Sequence, residues 1–421
     1  MNFSKKVIII LYILNLFFCK EMKDLKYIKT EIYSKYPNKD EENYFYENCT
    51  LNYVFTRIKL GSNEQNIEMQ LNLGNYETTI VRDIFVDQNS YTPYKTELSK
   101  TFNNTDIYLY TKSHEHYNLA KDNLIVINGT KNIKFDEFSF AFKDWFHGYG
   151  YEKVAGEIGL NLLKTGEFLE LNRKLYQNLS LNFIDQLNDK NLISGYSFTP
   201  RYNSSFKYKG NLIIGPDYED IYPEEIVNLT KYVIKVNETT ASNSGYWEIN
   251  VNRILVGDTE ISKKIYFNGE LLFKKICFDF SVDYIRATDE YTDYILMNFF
   301  NELIKQGKCI KHVFIDCYHN MGIKCKKDID IKKFPNLIFE IPLAEPNQLI
   351  LNYEDLFEEI GEYIYFKIIL TNYEEDLQVS SREWYFGNEF FKNNIVIFNK
   401  RRKDIKIYTI KKEIKIKNYC N

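Results

Sequence analysis

The sequence predicts a mostly β protein with short helices and two halves, and three observations lead to this prediction. After residue 52, short runs of apolar, β-branched and aromatic residues dominate, and several alternate with polar residues as half-buried strands do. Helical periodicity is scarce and is clearest at 183–188 and 291–306. The length of 421 residues also suits two domains of roughly 100–200 residues each.

The predicted strands are short and are spread along the whole chain. They lie at 53–60, 67–73, 106–111, 124–127, 211–215, 246–256, 338–341, 363–370 and 394–399. The segment 217–231, which contains Pro223 and directly follows Pro216, is the predicted boundary between the halves. No clean repeat relates the halves. Each half nevertheless has a strand, then a short polar turn and, later, two apolar residues followed by glycine.

Composition and charge exclude several classes of protein. The chain has 54 basic and 58 acidic residues, a net charge of −4, so no basic excess is present to neutralise the phosphates of a nucleic acid. The 35 Tyr and 31 Phe argue against disorder, and only 8 Pro and 18 Gly argue against a collagen-like or Pro-rich chain. We find no phosphate-binding Gly loop, Ser nucleophile elbow or metalloprotease helix motif.

Residues 1–20 are interpreted as a secretory signal peptide. Lys5 and Lys6 form a positive n-region, and 7–18 form an apolar h-region. A signal anchor is the alternative, although the run is shorter than the ~20 residues of a membrane span. No second apolar stretch of that length is present, so we expect a protein of the secretory pathway or the extracellular space without a further integral membrane segment. Residues 21–48 are expected to be an N-terminal arm or a short pro-segment.

The cysteines and the glycosylation sequons fit a secreted protein. Cys19 falls in the signal peptide, and the other six cysteines are an even number that favours disulfides. A zinc site is the alternative for the cysteines and histidines between 309 and 325. This cluster consists of Cys309, His312, Cys317, His319 and Cys325. Sequons, each a candidate glycan site, lie at Asn48, Asn103, Asn128, Asn178, Asn203, Asn228 and Asn237.

A series of weak motifs follows along residues 50–415. They read YVFTRIKLGSNEQ (53–65), LNLGN (71–75), LAKD (119–122), GEIGL (156–160), GNLIIG (210–215), YWEI (246–249), ILVG (254–257), ICFDFSVDY (276–284), FPNLIF (334–339), WYFGNEFF (384–391) and IVIFN (395–399). In this order they resemble the pepsin-like aspartic peptidases. The resemblance implies a bilobal acid-protease fold with a long cleft between an N-terminal lobe, 49–220, and a C-terminal lobe, 221–421.

The active site that the resemblance implies is incomplete. The family uses two aspartates that share one proton, so that one serves as base and the other as acid. Here Asp279 occupies the second position, but Asn72 occupies the first. An amide neither takes a proton from water at neutral pH nor supplies one as a carboxylic acid does. We therefore predict no appreciable peptidase activity. The alternative is a shifted alignment in which Asp83 or Asp283 is the missing acid.

Other positions of the two loops also depart from the family. Leu73 and Phe280 stand where threonine hydroxyls lock the loops together, and Ser281 stands at the glycine of the second loop. Glu157 occupies a normally apolar position. It is either a buried charge that needs a partner or a sign that the first loop is repacked.

The resemblance further implies binding residues. Tyr110 lies where the family has the tyrosine of its flap, and Gly74 and Ser281 lie in the two loops, so these three are the candidate ligand contacts above a floor of Asn72 and Asp279. An extended peptide suits such a cleft. The predicted function is a non-catalytic pepsin-like protein that binds a peptide or protein ligand and needs no cofactor or metal. An active peptidase with an unusual dyad and a structural surface protein are the alternatives.

Two further expectations concern cysteines and basic residues. The resemblance implies a disulfide between Cys309 and Cys325, and Cys49 and Cys420 are candidates for a second because the chain ends meet in the family's interdomain sheet. The run KRRK at 400–403 is interpreted as a basic β-turn, with contact to an acidic partner as the alternative.

Overall fold

The computed structural model describes most of the chain, with gaps. It covers residues 25–34, 54–82, 92–110, 116–129, 131–143, 154–162, 181–203, 206–236, 247–262, 265–267, 270–272, 274–282, 284–287, 289–313, 320–342, 344–371 and 383–410. The expectations about the signal peptide, Asp83, Asp283, Cys49, Cys317, His319 and Cys420 concern residues outside these ranges. As the sequence predicts, the structure is mostly strands with a few short helices.

Eleven strands lie between residues 28 and 235 among the described residues, and the last of them begins in the boundary segment. They are β1 Ile28–Ser34, β2 Val54–Leu60, β3 Gln65–Asn72, β4 Thr79–Val81, β5 Asn103–Tyr110, β6 His116–Asn128, β7 Lys131–Lys143, β8 Gly156–Gly159, β9 Ser197–Asn203, β10 Phe206–Gly215 and β11 Leu229–Lys235. Helix α1, Phe183–Asp189, begins at Asn182, whose side chain accepts from the backbone N–H groups of Ile184 and Asp185. Two single-turn helices, α2 Tyr218–Ile221 and α3 Pro223–Ile226, lie in the predicted boundary segment.

The second half continues the same pattern of short strands. They are β12 Glu248–Val251, β13 Arg253–Val256, β14 Thr259–Glu260, β15 Ile265–Phe267, β16 Glu270–Leu272, β17 Lys274–Phe278, β18 Ile285–Ala287, β19 Cys309–Val313, β20 Asn320–Lys326, β21 Leu337–Glu340, β22 Gln348–Leu351, β23 Phe357–Ile360, β24 Tyr363–Phe366, β25 Ile368–Thr371, β26 Glu383–Phe386, β27 Ile395–Asn399 and β28 Asp404–Ile410. The helices are α4 Asp289–Ile295, a π-helical stretch Leu296–Phe300, α5 Asn301–Lys305, α6 Tyr353–Leu356 and α7 Asn388–Asn393. Single 3₁₀ turns lie at Thr96–Leu98 and Ile331–Lys333.

One large sheet joins the two halves. Thirteen described strands follow each other in the order β11-β28-β27-β9-β10-β1-β2-β3-β8-β4-β7-β6-β5. The strands of the C-terminal half, β27 and β28, enter this sheet through the pairing of Phe398 with Phe198, whose rings stack at 4.8 Å. Trp247 packs edge-on against both rings. A continuous aromatic core therefore crosses from one half to the other.

The two halves repeat one local topology that the sequence analysis expected only as a coarse pattern. In the first half, β3 runs parallel to β8, and β4 lies antiparallel to β8 on its other side. In the second half, β17 runs parallel to β26, and β18 lies antiparallel to β26 on its other side. Each loop that follows the first strand, 72–78 after β3 and 279–284 after β17, therefore crosses over the end of the middle strand.

The structure differs from the sequence prediction at a few elements. No secondary structure was expected in 21–48, yet β1 is a central strand between β10 and β2, with Ile28 and Ile32 fully buried. The predicted strands 246–256 and 363–370 are each broken into two, at Asn252 and at Lys367. Both predicted helices are present, and the longer one contains the π-helical stretch.

Candidate functional site

The candidate site is formed by the two crossing loops and the strands below them. Residues 72–78 begin with Asn72 at the end of β3, and residues 279–284 begin with Asp279 directly after β17. Two buried aromatic side chains connect the loops across the halves. The indole of Trp247, from the second half, donates to the backbone oxygen of Leu160 at 2.9 Å, and Tyr202, from the first half, donates to Asn388 Oδ1 at 2.8 Å. These two hydrogen bonds tie the residues that support each loop to the other half of the molecule.

A glycine under each loop makes close packing possible. A Cβ at Gly159 would overlap the backbone of Tyr76 and Glu77 in the first loop. A Cβ at Gly387 would overlap the backbone oxygens of Val282 and Tyr284 in the second loop. The apolar-apolar-Gly signatures of the sequence thus belong to the support of the loops, because only a residue without a side chain allows this approach.

A buried asparagine next to each glycine fixes the loop above it. Asn161 donates from its side chain to the backbone oxygen of Gly74 at 2.8 Å and from its backbone to Asn75 at 2.9 Å. Asn388 donates from its side chain to the oxygen of Phe280 at 3.0 Å and from its backbone to Val282 at 2.7 Å. Since these bonds satisfy loop carbonyls that are shielded from water, they favour one loop conformation over others.

The side chain of Asn72 uses both ends of its amide. Its Oδ1 accepts from the backbone N–H groups of Gly74 at 2.8 Å and Asn75 at 3.2 Å. Its Nδ2 donates to Glu157 Oε2 at 3.1 Å. Because two N–H groups point at Oδ1, the orientation of the amide is determined by its partners. The half-buried Asn72 therefore presents a hydrogen-bond donor at the position where the sequence resemblance implies a carboxylate.

Glu157 is the charged partner of this amide. It lies on β8 opposite Gln70 of β3, and its Oε2 accepts from the side chains of both Asn72 and Asn75. Of the two alternatives that the sequence left open for Glu157, the contacts fit a charge that needs a partner, because two amides donate to its half-buried carboxylate. An acidic group is thus present beside Asn72, but it comes from β8 and not from the loop.

Asp279 has a different set of partners. Its Oδ1 accepts from the backbone N–H of Ser281 at 2.8 Å, and it interacts electrostatically with Arg286 of β18. Within the described part of the chain, no hydrogen bond joins Asp279 to Asn72 or to Glu157. The two loops therefore contribute one amide network and one separate carboxylate, and no shared-proton pair is formed among these three side chains.

Apolar side chains stand at the two positions where the sequence resemblance implies threonine hydroxyls that connect the loops. Leu73 and Phe280 are both 1% exposed and belong to the main hydrophobic core. The Phe280 ring packs edge-on against Phe391 of α7 at 5.1 Å. As the sequence analysis expected, no hydroxyl is present at these positions, and packing together with Asn161 and Asn388 holds the loops.

The other predicted residues are placed as follows. The backbone of Tyr110 ends β5 and pairs with His116 of β6, so it lies toward the end of the β5–β6 hairpin, and its side chain is outside the description. Cys309 and Cys325 form a disulfide, the pair that the resemblance implied. Because these sulfurs are bonded to each other, they are not thiolate ligands for zinc, and the zinc reading of the cluster is wrong in this respect. Cys277 of β17 is buried.

Two basic residues after β27 form ion pairs within the protein. Lys400 is buried, and its Nζ donates to Asp185 Oδ1 at 2.9 Å. Burial lowers the pKa of Lys400 to about 8, against the opposing attraction of Asp185 and Glu77. Arg402 pairs with Asp217 and Asp404. The predicted β-turn is present, but two of its cations serve internal ion pairs.

Sequence reasoning missed four residues of the site: Asn75, Asn161, Asn388 and Arg286. Asparagine is so frequent in this chain that a single Asn does not indicate a site. The contact between Glu157 and Asn75 depends on the pairing of β3 with β8, which the sequence pattern does not show. Arg286 had a signal that was available, a charged residue between apolar neighbours directly after the second loop. In the described residues, no group of three or more acidic, histidine or cysteine side chains is arranged to hold a metal ion.

The comparisons with known proteins extend this description. No protein-family model matches the chain, and no curated protein matches its sequence. Among solved structures, the chain is similar to the crystal structure of Basic 7S globulin from soybean, with a TM-score of 0.59 and 13% sequence identity over 91% of this chain and 97% of that chain. At this identity the likeness shows the fold, which is the pepsin-like bilobal one. In addition, none of the helices within the described ranges has the length and apolarity needed to cross a membrane.

Proposed function

We propose that this protein is a non-catalytic member of the pepsin-like fold that binds an extended peptide or protein segment in the cleft between its lobes. The proposal is supported by the pepsin-like fold and by two well-braced loops that have lost their matched acids. A fold that keeps its loop supports without its acid–base pair is suited to binding rather than to hydrolysis.

One observation carries the proposal. Asp279 shares no hydrogen bond with a second carboxyl group among the described residues, and its recorded partners are the Ser281 N–H and Arg286. Peptide hydrolysis of the pepsin type needs two carboxyls close enough to hold one proton, one to activate water and one to protonate the substrate oxygen. Asn72, which stands at the first position of the loop, is committed as a donor to Glu157 and does not perform the missing role. The carboxylate of the same loop, Glu77, interacts with the buried Lys400.

Glu157 favours a second candidate, an acid peptidase with a displaced dyad of Glu157 and Asp279. Its carboxylate lies beside Asn72 and is half-buried, as a replacement acid would be. We favour the first proposal because Glu157 accepts from two amides of its own lobe, and these hold its Oε2 toward the first loop. The experiment below separates the two candidates.

Peptide binding follows from the chemistry of the site. The loops present half-buried polar groups, and the β5–β6 hairpin carries Tyr110 near its end, where it would contact a ligand together with Gly74 and Ser281. Backbone groups of an extended segment pair with such groups without regard to sequence. A secreted location is further proposed from the N-terminal signal and is supported by the Cys309–Cys325 disulfide.

The test is the binding of a peptide that contains a statyl residue, compared with the same peptide lacking the statyl hydroxyl. That hydroxyl replaces the water held by two carboxyls, so an active dyad binds the first peptide far more tightly at acid pH. We expect similar affinity for both peptides from pH 3 to pH 7. A preference of 100-fold or more for the statyl peptide, lost in Glu157→Gln, would establish the displaced dyad. Absence of binding for both would support a purely structural role.

A further inference from the structure

Arg286 occupies an unusual place in the second half. It lies in β18 between Ile285 and Ala287, both of which are buried in the main core. Since side chains alternate along a strand, Arg286 lies on the opposite face of the sheet. Its neighbour on β26, Tyr385, likewise lies between two core residues, Trp384 and Phe386. The two half-buried side chains therefore share the face opposite the main core. On this face Ile369 of β25, the other neighbour of Arg286, is buried in a smaller hydrophobic cluster.

This face adjoins the second loop. Cys277 of β17 pairs with Tyr385 of β26, which pairs in turn with Arg286 of β18, so three adjacent strands contribute to it. Arg286 also interacts electrostatically with Asp279, the first residue of the loop. The guanidinium consequently lies on the face that adjoins the second loop, near Asp279.

The guanidinium is incompletely satisfied. Its Nε is shielded from solvent and has no hydrogen-bond partner. No ion pair within 4 Å and no hydrogen bond is recorded for Arg286 among the described residues. Burial lowers the pKa of Arg286, and attraction to Tyr385 and Asp279 offsets part of this effect. A buried N–H without a partner costs stability, and each such group in a native protein calls for a physical explanation.

We propose that Arg286 is the anchor of a carboxylate-binding subsite, and that the ligand of the cleft is an acidic peptide segment. This inference rests on the proposed peptide-binding function and names its ligand chemistry. The planar guanidinium matches a carboxylate through two parallel hydrogen bonds, and such a ligand supplies the acceptor that Nε lacks. Asp279 does not fill this role, since no ion pair joins it to Arg286.

The experiment uses two pools of fluorescent ten-residue peptides with blocked ends, identical except for a fixed central Glu or Gln. We expect wild-type protein at pH 7 to bind the Glu pool about 10- to 100-fold more tightly, as is typical of a hydrogen-bonded charge pair. Arg286→Gln removes the preference. Arg253→Gln, which removes an exposed arginine of β13 paired with Glu260 and Glu340, retains it. The preference also fades below about pH 4, where the peptide carboxyl protonates.

Each other outcome has a definite meaning. Equal binding of both pools by wild type, or a preference that survives in Arg286→Gln, overturns the inference and leaves peptide binding intact. If neither pool binds, the proposed function fails and the inference fails with it. A third pool, with the central Gln and a free C-terminus, identifies a terminal carboxylate as the source if it binds as the Glu pool does.

Folding of the variants is checked separately. Arg286→Met is expected to keep or raise the midpoint of thermal unfolding, because an apolar side chain of similar length replaces a buried group that lacks a partner. A variant that keeps its stability but loses the preference for acidic peptides distinguishes a binding role from a structural one. A lower midpoint in Arg286→Met together with an unchanged preference would contradict the inference.

Discussion

The loops that begin at Asn72 and at Asp279 occupy equivalent places in the two halves, yet their chemistry differs. Both cross over the end of a strand where a glycine lies, Gly159 at the end of β8 and Gly387 directly after β26, and both are held by a buried asparagine. In the first loop, the amide of Asn72 and the carboxylate of Glu157 satisfy each other within one lobe. In the second loop, Asp279 accepts from its own backbone and faces an arginine that lacks a hydrogen-bond partner at Nε.

The comparison shows that the residues that support the loops are different from Asn72, Glu157 and Asp279, whose side chains determine the chemistry of the site. The glycines, the asparagines and the apolar residues Leu73 and Phe280 determine the loop conformations. Hydrogen bonds from loop groups to Asn72, Glu157 and Asp279 add to these supports. In the first half, the amides of Asn72 and Asn75 donate to the carboxylate of Glu157. In the second half, the Nε of Arg286 has no hydrogen-bond partner.

The largest expected effect comes from breaking the supports that the halves share. Gly159→Ala and Gly387→Ala should each destabilise the fold by more than about 3 kcal/mol, because the added methyl group overlaps backbone that cannot move away. Gly307→Ala is the control, since Gly307 also has a special backbone conformation, a φ of +65°, but no atom lies within 4 Å of an added Cβ. It should cost only about 1 kcal/mol. Denaturant unfolding measures all three, and similar losses for all would refute the packing argument.

Asp217 lies outside the two loops and can be compared with Asp279, because several side chains donate hydrogen bonds to its carboxylate. Burial raises its pKa, but hydrogen bonds from Lys406, Ser197 and Asn399 outweigh burial and bring the pKa down to about 2. The stabilisation is therefore complete above the unfolded value near 3.8 and is lost as the pH falls toward 2. This loss should amount to roughly 2 kcal/mol and should disappear in Asp217→Asn.

Unfolding curves recorded from pH 5 to pH 2 provide this measurement. Asp258→Asn, which changes an exposed carboxyl, is the control and should leave the profile of the wild type unchanged. If Asp217→Asn keeps the same acid dependence as the wild type, the ion cluster between the boundary segment and β28 does not carry the effect.

A smaller effect tests the two loops directly by exchanging amide and carboxylate. Asn72→Asp replaces a donor by a negative charge next to Glu157, so it should cost about 1 kcal/mol at pH 7 in this half-buried position. Asn72→Asp combined with Glu157→Gln should recover that loss. Asp279→Asn keeps an oxygen for the Ser281 N–H and should change stability by less than about 0.5 kcal/mol. Equal costs for the two exchanges would show that the loops are not electrostatically different.

Much of the fold followed from the sequence because it depends on local patterns. Alternating apolar residues predicted β2, β3 and β27, and helical spacing predicted α1 and the segment that includes the π-helical stretch. Strand β1 escaped prediction because its residues are mixed in character and only their partners in β2 and β10 make them a central strand. Pairing between distant segments is not encoded in the local pattern.

The site was predictable only in part for the same reason. The order of the motifs assigned Asn72 and Asp279 to equivalent loops. The motifs also showed that Leu73 and Phe280 stand where the resemblance implies threonine. The partnership of Asn72 with Glu157 needs the parallel register of β3 and β8, and the isolation of Arg286 needs the positions of β18 and β26. Both are tertiary facts, and both decide which chemistry the cleft supports.

The most direct test of the central claim is an acid proteolysis assay with unfolded protein as substrate. Purified wild type, Asp279→Ala and Glu157→Gln are compared from pH 2.5 to pH 6. The account predicts no cleavage above background for any of them, because losing one member of a coupled acid–base pair removes several orders of magnitude of rate. Cleavage by the wild type that both substitutions abolish would contradict it and would identify Glu157 and Asp279 as a working pair.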